Sequence, residues 1–142
     1  CIAVDPWFIV DRSPDCSSLI RTAREVNDKK PEWVIERVKR CADKFKSPII
    51  ACLGLAFKAD VDDLRESPAF DIVKRLSEQE IGTLMVCEPN LSSLEGFRLY
   101  DVNDAIEKAD IILLLVDHKP FQSLNATELS EKIIIDTRGV IR

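Results

Sequence analysis

Six consecutive apolar side chains, Ile111-Ile112-Leu113-Leu114-Leu115-Val116, constrain this chain more than any other stretch. Successive strand residues point to opposite faces of a sheet, so a strand that is apolar throughout has both faces buried. Similar runs are read at Ile49 to Leu53, Thr83 to Glu88, Leu99 with its neighbours, and Ile133 to Asp136. Helical patterns separate them: Pro68 to Glu80, Val102 to Lys108, and shorter stretches at Pro120 to Leu124 and Ala126 to Ser130. Strands covered on both sides and alternating with helices predict an α/β fold, a small doubly wound parallel sheet with right-handed crossovers.

The first 46 residues read differently. Pro6 and Pro14 punctuate the patch Trp7-Phe8-Ile9-Val10, which suggests loop, or loop leading into a helix turn, with large side chains made to be covered. From Ser17 the pattern is helical, with Leu19, Ala23 and Val26 on one face and Trp33, Val34, Val38, Cys41, Ala42 and Phe45 continuing it. Pro31 implies two helices or one kinked helix, and Asn27 or Asp28 is available to cap the second part. The polar turn at Lys46 to Pro48 divides a helical segment, 1–46, from the sheet domain, 47–142.

The chain has 142 residues, 46% of them hydrophobic and 32% charged, enough for one ordinary core. A net charge of -5 argues against nucleic acid as a partner, since that affinity needs a basic face. No run is long enough to span a membrane and no signal peptide is visible, so no membrane partner is expected, and the cysteine pattern fits a reducing, cytoplasmic setting. The five cysteines form no C-x-x-C pair and are odd in number, so neither a metal site nor a disulfide framework is expected. The start at Cys1 without a Met suggests a piece of a longer protein.

Gly54 to Pro68, GLAFKADVDDLRESP, is where a site is expected. It joins the first strand to a helix whose start is marked by Ser67 as N-cap and Pro68 at the first helical position. Ligands of open α/β sheets bind beyond the carboxyl ends of strands, where helix N-termini also offer N–H groups to anions, so a phosphate-bearing ligand is the first expectation. Gly54 permits a tight turn, Phe57 can stack on a planar base, Lys58 is a point charge for phosphate and Arg65 a fork for phosphate or carboxylate. Equally, Lys58 and Arg65 can pair with Asp60, Asp62, Asp63 and Glu66 in a self-neutralised loop. Cys1 with Asp5 could supply a nucleophile and an acid that orients water, although a single Cys is more often a small buried hydrophobe. Glu88 ends a strand where dinucleotide folds bind ribose, but the first strand lacks G-x-G-x-x-G. His118, the only histidine, suits a structural or solvent role, and Cys41, Cys52 and Cys87 suit the core. Arg138 follows the last strand on the edge where a ligand would lie.

Two stretches, Cys1-Ile2-Ala3-Val4-Asp5-Pro6 and Gly54 to Pro68, resemble the signatures of the UDP-glucose/GDP-mannose dehydrogenase family. CIAVDPWFIV, LIRTAREVND and LLLVDHKPF look like the branch that oxidises UDP-N-acetyl-D-mannosamine. The resemblance covers nearly the whole chain but only the C-terminal part of the family's length. It implies a Rossmann-like sheet domain that binds a UDP-sugar, and an NAD-dependent, four-electron oxidation of the sugar C6 alcohol to a carboxylate. In that reading Cys1 is the nucleophile that forms a thiohemiacetal and then a thioester, and Asp5 assists the water steps. Phe57, Lys58 and, more loosely, Arg138 match substrate contacts, and Arg65 matches a contact to the NAD cofactor. The helices from Ser17 to Phe45 match a central segment that forms a homodimer. Ala59 stands where a Pro is common and Val61 where Thr or Ile is usual. With the NAD-binding part and the catalytic Lys upstream of residue 1, the chain alone is expected to be inactive. A UDP-binding or dimerisation module without catalysis, or a dehydrogenase for UDP-glucose or another UDP-N-acetylhexosamine, is the alternative.

Overall fold

The structure, a computed structural model, describes residues 3–141. Where a loop or a single helix turn is expected, Asp5–Arg12 form helix α1. Pro6 sits in its first turn, where the missing N–H would have had no partner in any case. Helices α2 (Ser18–Asp28) and α3 (Lys30–Ala42) follow, broken at Lys29. Neither Asn27 nor Asp28 caps α3: Lys29 stays helical (φ -84, ψ -9), so the chain never takes the extended geometry in which a side-chain cap works. Asp28 instead accepts from Arg24 one turn back.

The sheet comprises β1 (Ile49–Leu53), β2 (Thr83–Cys87), β3 (Ile111–Leu114) and β4 (Ile133–Asp136), in the order β2-β1-β3-β4, with every pairing parallel. Helix α4 (Pro68–Glu78) links β1 to β2, and α5 (Val102–Lys108) links β2 to β3 on the far side of β1. The strand order thus reverses at β1, which places a topological switch point between β1 and β3.

Alternation within the strands builds two cores. Ile50, Cys52, Val86, Ile111 and Leu113 meet Val34, Ile35 and Val38 of α3 and Ile72, Val73 and Leu76 of α4. On the other face Ala51, Leu53, Met85, Cys87, Ile112 and Leu114 meet Ala105 of α5, Phe121 and Leu129. Each fully buried Leu or Ile contributes about 1.5–3 kcal/mol, so this two-faced burial dominates the stability of the fold. The result is the expected α/β, doubly wound parallel sheet, preceded by a helical segment.

Three further elements differ from expectation. Leu99 makes a single parallel bridge to Val86 and no strand, because the chain reaches the β2 edge straight from the turn at Gly96 (φ +82). Around Pro120 only a 3-10 turn forms, Lys119–Phe121. Residues 126–130 are turns, opened by Asn125, whose side-chain oxygen accepts from the Thr127 N–H at 2.9 Å in competition with helix formation. No described helix is long and apolar enough to cross a membrane.

Candidate functional site

Gly54 leaves β1 with φ +85, and a Cβ there would lie 2.6 Å from Val116 Cβ. Positive φ and lack of space both demand glycine where the ends of β1 and β3 close together. The loop then folds on itself. The Phe57 N–H donates to the Asp63 carbonyl at 2.8 Å, and the Ser67 hydroxyl donates to the Leu55 carbonyl at 2.6 Å. Ser67 also caps α4, as its position implies, by accepting from the Phe70 N–H at 3.3 Å.

Beneath the loop lies a buried polar pair. Glu88, just past β2, is 4% exposed, and its Oε2 accepts from the N–H groups of Leu55 (2.7 Å) and Ala56 (3.1 Å). The His118 ring, fully buried, places Nε2 at 3.1 Å from the same oxygen. Its other nitrogen, Nδ1, accepts from the Asp60 N–H at 2.9 Å and stands 3.0 Å from the Asn90 amide nitrogen. A nitrogen that accepts from a backbone N–H carries no proton, so His118 is neutral with its proton on Nε2, donated to Glu88. Glu88 Oε1 accepts from the Asn90 backbone at 3.1 Å, so both carboxylate oxygens are engaged. Glu88 therefore points inward, away from any ribose, and of the two roles expected for His118 the structural one applies. The N–H groups that would greet a phosphate after β1 are already bonded to a carboxylate. An anion at this loop must be met by side chains.

Those side chains are presented outward. Phe57 is 42% exposed and lines a cleft of about 700 Å³ with Ala3, Arg24, Asn27, Glu66 and Lys74. Lys58 is exposed and makes no ion pair with the described residues. Arg65 is held by Asp63 through two side-chain bonds, 2.9 and 2.7 Å, so here the self-neutralised reading applies. The hydrogen bonds from Arg65 hold the Asp63 carboxyl down at about 2, and the same contact raises the Arg65 guanidinium. Asp60 is similarly engaged with Lys119. Asp5 begins α1 and is exposed; Cys1 lies outside the described residues. Arg138 is on the other side of the α4 N-terminus, in a second cavity with Trp33, Pro68 and Thr137, and donates to Asp117 at 2.9 Å. Burial, the largest single influence, pulls the Asp117 carboxyl up, but the Arg138 hydrogen bond, a backbone hydrogen bond and the nearby positive charge together outweigh it and leave the group below its usual range. Asn27, Pro31 and Pro68 border both cavities, so the phenyl of Phe57 and the guanidinium of Arg138 flank one ridge without meeting across it.

Cys52 and Cys87 lie in the core as expected, while Cys41 is half-buried. Burial pushes the Cys87 thiol up to about 12 and raises Cys52 as well, so neither is a nucleophile. No group of three or more metal-ligating side chains occurs among the described residues.

The description "UDP-glucose/GDP-mannose dehydrogenase family, UDP binding domain" belongs to a sequence profile that matches residues 51–142. An NDP-N-acetyl-D-galactosaminuronic acid dehydrogenase from Ralstonia solanacearum is 54% identical over 99% of this chain and 34% of its own length. A UDP-N-acetyl-D-mannosamine dehydrogenase from Yersinia pestis is 46% identical over 100% of this chain and 37% of its own. The solved UDP-N-acetyl-mannosamine dehydrogenase from Staphylococcus aureus superposes with a TM-score of 0.82 at 33% identity, over 100% of this chain and 34% of that one. The chain thus spans about a third of the length of these relatives. It belongs to the UDP-glucose/GDP-mannose dehydrogenase family and carries that family's UDP binding domain over residues 51–142.

Proposed function

We propose that the chain is the C-terminal, UDP-sugar-binding portion of an NAD-dependent UDP-N-acetyl-D-mannosamine 6-dehydrogenase. One observation carries the reading: Phe57, which follows the braced start of the loop, faces the same cleft as Ala3, two residues after Cys1 in sequence. Phe57 and Lys58 hold the nucleotide-sugar, Lys58 through the diphosphate, with Arg138 as a further contact. Cys1 captures the C6 aldehyde as a thiohemiacetal. Its oxidation gives a thioester, which water, assisted by Asp5, hydrolyses to the carboxylate.

The described sheet offers no dinucleotide cradle of its own. Its first turn lacks G-x-G-x-x-G, and the Leu55 and Ala56 N–H groups are spent on Glu88. NAD, the electron acceptor, is therefore assigned to a part of the protein beyond these residues, with Arg65 reaching toward it. Residues 1–46 are assigned the catalytic Cys1 and a homodimer-forming helical segment, and 47–142 the UDP-sugar domain. The exposed apolar side chains Phe8 (67%), Leu19 (81%), Val26 (59%) and Trp33 (51%) support that dimer. Free Cys16, Cys41, Cys52 and Cys87 fit a cytoplasmic setting.

A second reading, oxidation of an NDP-N-acetylgalactosamine sugar, is favoured by the 54% identity to the Ralstonia relative. Titration of the chain with UDP is expected to show binding that Lys58→Ala weakens by about tenfold or more, as for loss of a charged hydrogen bond. Mixed with UDP-N-acetylmannosamine and NAD, the chain alone is expected to form no NADH, and NADH formation would refute the assignment of the NAD site elsewhere. Rates of the longer parent protein on the mannosamine and galactosamine sugars separate the two readings.

A further inference from the structure

We propose that Glu88 and His118 are positioning residues for nucleotide-sugar binding, fixing the backbone on both sides of Phe57 and Lys58. The proposal rests on the assignment of those two side chains as ligand contacts. Glu88 holds the N–H groups of Leu55 and Ala56 immediately before Phe57, and His118 holds the N–H of Asp60 two residues after Lys58. The two braces are joined by the bond from His118 Nε2 to Glu88 Oε2 at 3.1 Å. Phe57 and Lys58 thus stand at the apex of a backbone span whose two ends share one buried support.

The support has a defined proton arrangement. Nδ1 faces two donors, the Asp60 N–H and the Asn90 side-chain amide, and Nε2 faces a carboxylate oxygen that already accepts two backbone N–H groups. Only the Nε2–H tautomer satisfies all of these contacts. The Phe121 ring edge, centroid 5.6 Å from the imidazole, closes the remaining side. Strand order makes this possible: β2 and β3 flank β1, so residues beyond their ends meet under the loop that leaves β1.

The role separates into two arms by substitution. A glutamine at position 118 reaches the Nε2 location and keeps the donor to Glu88 but leaves the Asp60 N–H without its acceptor. An asparagine reaches the Nδ1 location and keeps that acceptor. The test is a calorimetric titration of UDP into the chain and into His118→Gln and His118→Asn. Amide hydrogen exchange at Leu55, Ala56 and Asp60, thermal unfolding, and nitrogen–proton correlation of the unaltered His118 ring are measured alongside. Loss of one part-buried hydrogen bond predicts that His118→Gln frees the Asp60 amide and weakens UDP about tenfold, and that His118→Asn recovers part of that loss. The ring spectrum should show the Nε2–H tautomer, a signature independent of whether either variant folds. Proton on Nδ1, or an Asp60 amide equally protected in His118→Gln, overturns the brace itself. A freed Asp60 amide with unchanged UDP affinity overturns the positioning role alone. No UDP binding by the unaltered chain overturns the ligand assignment and the positioning role with it.

Discussion

The two ends of the segment from Gly54 to Pro68 are held by different physics. Its first half is fixed from below, by the buried Glu88 acting on the N–H groups of buried Leu55 and Ala56 and by the buried His118 acting on the part-buried N–H of Asp60. Its second half is held from outside, by Asp63 on Arg65, where the Arg65 side chain is 89% exposed. In the interior an unmade hydrogen bond costs the full desolvation of the group, whereas at the surface water replaces the partner at little cost. The first half is therefore a rigid mount for Phe57 and Lys58. The second is an arm whose charge pair a ligand or another part of the protein can exchange for its own.

The contrast breaks first at its rigid end. Glu88→Ala strands two backbone N–H groups and the His118 Nε2–H in a dry site, with an expected loss on the order of 3–5 kcal/mol in urea unfolding. Gly54→Val combines positive φ with a Cβ 2.6 Å from Val116 Cβ and 3.0 Å from its backbone nitrogen and oxygen, where nothing can yield cheaply. A loss of about 3 kcal/mol or more is expected, with UDP affinity falling alongside. Unfolding free energies within about 0.5 kcal/mol of the parent for both, the ordinary scatter of surface substitutions, would show that the mount is no stiffer than the arm.

Ser67 lies between the two regimes. Its hydroxyl donates to the buried Leu55 carbonyl and accepts from the Phe70 N–H, tying the loop's start to the first turn of α4. Ser67→Ala is expected to cost about 1–2 kcal/mol, the combined loss of a cap and a buried donor. Restoration by Ser67→Thr in the same unfolding assay would assign that cost to the hydroxyl.

The sequence carries this division unevenly. Strands β1, β3 and β4 and helix α5 are legible because apolar runs and a helical pattern leave few ways to bury them. The loop is legible because Ser67-Pro68 is a local helix-start signal and its fifteen residues resemble a family signature. Helix α1 is obscured by Pro6, which reads as a breaker until its place in the first turn is known. The brace is not legible at all: Glu88 and His118 are 30 residues apart, and their meeting depends on both β2 and β3 lying beside β1. A strand-terminal acid and a single histidine, each next to a strand that must neighbour β1, is the only hint that could have joined them. Arg65 shows the opposite case, since its pairing with Asp63 two residues away is local enough to be foreseen as one of two outcomes.

The smallest expected effect lies at the exposed end. Asp63 has its carboxyl held at about 2 in the folded chain, against a usual value of 3.8, chiefly by the hydrogen bonds from Arg65. A depressed folded value means that the pair contributes stability above the unfolded value of 3.8, and that this contribution is lost as pH falls toward 2. Asp63→Asn abolishes the titration, so its unfolding midpoint should decline less than the parent's between pH 5 and pH 2, by roughly one titrating group in the proton balance. At neutral pH the change should be smaller than for Ser67→Ala, because solvent screens a pair whose Arg65 side chain is 89% exposed. If Asp63→Asn instead destabilises the chain as much as Glu88→Ala does, the outer half of the loop is also a mount, and Arg65 is not free to leave Asp63 for a ligand.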